Sequence, residues 1–117
     1  MVDTNIGVSL NETLVANYFD MLVNKVFKIL PIIENKEDSI VVYAESLCCE
    51  LQGFKSLLPS IGEDPTFLSF LSIVQWLIDN VVDAETQYKS IRREVFHAIS
   101  LCKKLQSRFA ENEGEVV

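Results

Sequence analysis

Glu94 and His97 stand one helical turn apart in the run Glu94-Val95-Phe96-His97, a spacing at which a carboxylate and an imidazole can share a metal ion. A metal centre built that way needs the pair twice, and the chain has a single histidine. On a helical projection of about 100° per residue, His97 also falls opposite the apolar stripe of Val95, Ala98 and Cys102. The two are read as a surface pair. Glu34 and Glu37 form half of an acidic arrangement suited to a divalent cation, but they lie in a polar turn without a matching second pair. Cys48 and Cys49 are adjacent, so within a helix their side chains diverge and cannot close a disulfide. With Cys102 they read as small apolar residues. Asn11-Glu12-Thr13 fits a glycosylation sequon but reads as a helix start. Glycines at 7, 53, 62 and 114 are too scattered to cradle a phosphate, and no nucleophile-elbow or zinc-protease motif is present. No catalytic, metal or cofactor-binding residue is assigned. The expectation is a non-enzyme without a cofactor, and a metal-dependent hydrolase is the weakest reading.

Two surfaces remain as candidates for binding. Near the C-terminus Lys89, Arg92, Arg93, Lys103, Lys104 and Arg108 project away from the apolar seam, and Arg93, His97, Ser100, Lys104 and Arg108 form one ridge. Phe96 falls among these cations. An aromatic ring surrounded by positive charge suits an acidic protein surface, whereas a ridge of cations alone suits phosphates. Upstream, Trp76 and Leu68 project to the side of Ser69, Ser72 and Asn80, where a tryptophan often anchors an interface. The candidate partner interface is Leu68, Trp76, Lys89, Arg93, Phe96, His97, Lys104 and Arg108. The plain alternatives are a solvated or self-packed basic face, and a helix around Trp76 that is buried on nearly all sides.

The elements that carry these residues follow helical periodicity throughout. Asn11 caps a first helix that is expected to run over 11–30 and stop at Pro31. Ile40, Ala44, Leu47, Leu51, Phe54 and Leu58 step through a second, over 39–58, at the spacing of a bundle seam. Gly53 interrupts it at a propensity cost of about 1 kcal/mol. Asp64 followed by Pro65 is a strong start for a third helix over 65–80. The fourth is expected over 83–109, after a turn in which Asn80 adopts a left-handed conformation and Asp83 caps the next helix. Because the apolar positions from Phe67 to Phe109 never break step, the alternative is one long helix over 66–109 in a three-helix chain that pairs as a helical dimer. The expected fold is all-α, an up-and-down four-helix bundle over 11–110. A flexible N-terminal arm (1–10) and a disordered acidic tail (111–117) are expected to flank it.

Composition bounds what such a bundle does. Of 117 residues, 49% are hydrophobic and 23% charged, which is a globular balance. The mean hydropathy of +0.21 suggests apolar surface beyond what a core needs. A net charge of −7 argues against general nucleic-acid binding. That charge is uneven: residues 1–83 carry 12 acids and 4 bases, and residues 84–109 carry 2 acids and 6 bases. No signal-peptide pattern opens the chain, no apolar run is long enough to span a membrane, and three cysteines are no disulfide framework. A cytoplasmic setting is expected. The expected function is a small non-enzymatic interaction or regulatory protein that forms a homo-oligomer or binds one protein partner, with no membrane. A nucleic-acid-associated regulator using the basic outer face is the alternative.

Overall fold

The computed structural model describes residues 1–115, with side chains described through Ala110. Helix α1 (Glu12–Phe27) starts as its cap dictates: Asn11 is extended, and its side-chain oxygen accepts the Thr13 N–H at 2.6 Å. The expected end at Pro31 is corrected. The helix breaks at Lys28 and resumes as α2 (Ile29–Glu34), with Pro31 inside the first turn. Proline has no N–H to offer the Phe27 carbonyl four residues back, so the ladder lapses at that point, while a first-turn position tolerates the missing donor. Lys36 then takes a left-handed backbone (φ 55°). With it, the Lys36 N–H reaches the Ile33 carbonyl and the Glu37 N–H reaches the Ile32 carbonyl, which satisfies the last turn of α2.

Helix α3 (Ile40–Leu57) leads through a single turn, α4 (Pro59–Gly62), to α5 (Pro65–Val81). Asp64 caps α5 as expected, accepting from Thr66 N–H at 2.8 Å and Phe67 N–H at 3.4 Å. The chain then breaks at Val82 and Asp83 before α6 (Ala84–Glu115), so the four-helix arrangement holds and one continuous helix over 66–109 does not. The expected left-handed Asn80 is also corrected. Val82 carries the turn with right-handed angles (φ −63°, ψ −23°), and the Asn80 amide donates back to the Trp76 carbonyl at 2.8 Å. A turn closed by right-handed residues needs no left-handed one.

The four long helices run antiparallel in sequence order, as their side-chain pairings show. Tyr18 meets Glu50 and Phe54, Phe54 meets Phe67, Arg108 meets Asp64, and Phe19 meets Phe109. α1 packs most extensively on α6, α6 on α5 and α5 on α3, whereas α1 and α3 meet chiefly through side chains. Residues 1–10, expected as a flexible arm, form a two-stranded hairpin of β1 (Val2–Asp3) and β2 (Ser9–Leu10). Val2 is buried in the core, and the Asn5 N–H satisfies the Leu57 carbonyl at the end of α3 at 2.8 Å. The bounds of α6 pass the end expected near Phe109, and the side chains of the acidic tail expected over 111–117 lie outside the described residues.

The apolar seams land in the core. Phe19, Leu22, Leu51, Phe67, Phe70, Leu77, Ile91 and Leu105 are fully buried, and no polar side chain among the described residues is. Cys102 fills a seam position, its thiol bonded to the Phe19 carbonyl at 3.1 Å; burial, reinforced by the Asp20 charge, pushes its pKa up to about 12. Among the described residues no helix is long and apolar enough to cross a membrane.

Two glycines in neighbouring elements should respond oppositely to alanine. A Cβ at Gly62 would sit 2.5 Å from the Lys55 carbonyl oxygen, whereas one at Gly53 would meet nothing within 4 Å. In urea denaturation, Gly62→Ala is expected to lower the midpoint, and Gly53→Ala to raise stability by about 0.5–1 kcal/mol. A second test concerns acid. Burial alone would raise the Asp64 pKa, but the Arg108 hydrogen bond and charge and the two backbone N–H bonds outweigh it and hold it below the ordinary value. A depressed folded pKa gives stability that is complete above the unfolded value and is lost as pH falls through about 4 and below. Asp64→Asn keeps the cap acceptor, so between about pH 6 and pH 3 the urea midpoint should fall more steeply for the parent than for the variant. Parallel profiles would refute this role of Asp64.

Candidate protein-interaction surface

The outer face of α6 follows from its inner one. Ile91, Val95, Ala98, Cys102, Leu105 and Phe109 are buried against the bundle, which turns Lys89, Arg92, Arg93, Phe96, His97, Lys103 and Lys104 outward. Phe96 is 43% exposed. Against it, edge to face with ring centroids 6.3 Å apart, lies Phe27 from the last turn of α1, itself 47% exposed. The Arg92 guanidinium sits 5.4 Å from the centroid of the Phe96 ring, within cation–π range. Tyr88, Lys89, Arg92, Arg93 and Phe96 line one concavity of about 420 Å³. Further along, Ser100, Lys103, Lys104, Ser107 and Arg108 line a second.

The candidate residues differ in how free they are. Lys89, Arg93 and Phe96 line one concavity, and Lys104 faces outward beyond them. Glu94 draws Arg93 to 3.7 Å and His97 to 3.8 Å, so the Glu94–His97 pair lies on the surface and dilutes the positive charge of the ridge. Arg108 also faces outward, but its guanidinium is already engaged by the fold. It donates to Asp64 at 2.5 Å, strapping the end of α6 to the cap of α5. Leu68 (38% exposed) and the half-buried Trp76 sit on α5, where Trp76 packs against the core, and neither lines the α6 concavities. Glu34 accepts a hydrogen bond from the Tyr88 hydroxyl, and among the described residues no three His, Cys, Asp or Glu side chains converge on a cation position.

Two features escaped sequence reasoning. One is Phe27, which reads as the tail of the buried stripe of the first helix. The buried face of α1 runs through Val15, Phe19, Leu22 and Val26, and Phe27, about 100° further round, falls off it and emerges at the edge beside Phe96. The other is a groove between α1 and α3. Tyr18 stacks on Phe54 (4.8 Å, 12°), and its hydroxyl donates to Glu50 at 2.7 Å. Lys25 donates to the second oxygen of Glu50 at 2.7 Å, and the Tyr43 hydroxyl donates to the Lys25 carbonyl. Burial would raise the Glu50 pKa, yet the bonds from Lys25 and Tyr18 outweigh it and keep the carboxylate ionised, while burial and that carboxylate push Tyr18 upward. These long side chains separate the two helices and leave an apolar groove of about 340 Å³ lined by Leu10, Leu14, Tyr18, Gly53, Phe54 and Leu57. No open space of this kind is legible from a stripe of apolar positions alone. In comparisons with known proteins, the chain matches no family model, no curated protein and no solved structure.

Proposed function

We propose that this chain is a non-enzymatic interaction protein that binds one protein partner through the edge where α1 meets α6. The observation that supports this reading is the pair Phe27 and Phe96, two rings in contact yet each nearly half in water, set among Arg92, Arg93 and Lys89. Aromatic residues, phenylalanine among them, and arginine are enriched in protein interfaces relative to the rest of the surface. A closed symmetric dimer through the same edge would set this basic patch against its own copy, which like-charge repulsion opposes. The rival reading, nucleic acid on the ridge, draws support from the cations of α6. It is weakened by the net charge of −7 and by the engagement of Arg93 and His97 with Glu94 and of Arg108 with Asp64.

Rings kept for binding contribute little to folding. The double substitution Phe27→Ser, Phe96→Ser should change unfolding free energy by less than about 1 kcal/mol, against about 3–5 kcal/mol for Phe19→Ala in the core. A photoreactive benzoylphenylalanine placed at position 96 in the producing cells should give one discrete protein adduct, with none from the same residue at Ser72 on α5. A large loss of stability in the double variant, or no adduct at position 96, would overturn the reading.

A further inference from the structure

Resting on the interaction reading above, we infer that the segment received at the α1–α6 edge is an acidic amphipathic helix whose apolar side chains pack on Phe27 and Phe96. The argument is one of charge and shape together. The chain as a whole carries −7, so a generally acidic protein would be repelled at long range and only a local match can hold it. That match exists on α6, where Lys89, Arg92 and Arg93 line the same concavity as Phe96. The cations share that lining with the Phe96 and Tyr88 rings, so a partner must bring carboxylates for the cations and an apolar side chain for the rings. Carboxylates spaced along one flank of a helix, with leucines recurring at intervals of three and four residues, supply both. A continuous phosphate backbone supplies the charge but leaves the two rings uncovered unless a base is splayed onto them. A second copy of this chain in closed symmetry would set one net-basic patch against another.

Fluorescence anisotropy with three labelled probes tests this on the full chain. One probe is an amphipathic peptide of leucine and glutamate, the second its leucine and lysine counterpart, and the third a single-stranded oligonucleotide of similar length. The leucine–glutamate peptide should bind, and more weakly as salt rises from about 50 to about 500 mM. Phe96→Ser should weaken it by about tenfold or more, and so should Lys89→Glu with Arg93→Glu, while circular dichroism shows all variants helical. Failure of the acidic peptide, equal binding of the lysine peptide, tighter binding of the oligonucleotide, or indifference to Phe96→Ser would each overturn the proposal. If sedimentation showed a concentration-dependent mass abolished by Phe96→Ser, the occupant would be a second copy and the acidic helix would be refuted. An adduct at position 96 alongside a silent acidic peptide would leave the interaction reading standing and remove only the acidic partner.

Discussion

Phe19 sits where the four long helices meet, and the bundle depends on what it touches. Its ring lies 5.5 Å from Phe54 of α3 and 6.0 Å from Phe109 of α6, and Phe54 in turn lies 5.5 Å from Phe67 of α5. Its carbonyl takes the Cys102 thiol. Aromatic side chains bury the largest areas and lock into offset or edge-on geometries, so one such cluster sets the registers of all four helices at once. At this end the core is a fixed interlock of rings. Towards the other end aliphatic residues such as Val26, Leu77 and Ile91 fill the interior, and position is set instead by turns. The Schellman-type closure at Lys36 and the Pro31 break decide where the chain leaves one helix and enters the next.

Polar contacts play a different part. Among the described residues no polar side chain is buried, so ion pairs do not fill the interior; they join its edges. The Lys25–Glu50 and Arg108–Asp64 pairs are both partly exposed, and their worth lies in geometry more than in energy. The first, braced by Tyr18 and Tyr43, sets how far apart α1 and α3 stand. The second ties the far end of α6 to the start of α5. Because these cations are occupied within the molecule, the positive charge that faces solvent is narrower than a count of lysines and arginines implies.

How much of this is legible in the residues varies with the kind of signal. Helix starts are legible because capping is local: Asn11 and Asp64 announce themselves by residue type alone, and both cap as expected. The seam residues are legible because periodicity maps onto burial, as Ile91, Val95, Ala98, Cys102 and Leu105 show. Three things were not. Pro31 has the residue type of a stop, but a proline breaks a helix only at the carbonyl it fails to serve and can sit in the first turn of the next. Which glycine marks a close approach depends on the neighbouring element: a Cβ at Gly53 would meet nothing within 4 Å, and the close contact is at Gly62 over Lys55. Arg108 does face outward, as the projection of its helix has it, but such a projection cannot contain its partner Asp64 on another helix. The candidate surface was half legible in the same sense: Phe96 and its cations follow from α6 alone, while Phe27 reaches them only through tertiary structure.

The most extensive helix pairing joins α1 to α6, the first long helix to the last. During synthesis on the ribosome, the apolar face of α1 is therefore complete long before its proper cover exists. Leu22, Val26 and Phe19 must wait for residues beyond position 90 to emerge. Contacts so distant along the chain are made late, after the loop between them has been closed. Until α6 has been made, the apolar face of α1 lacks the helix that covers it most extensively.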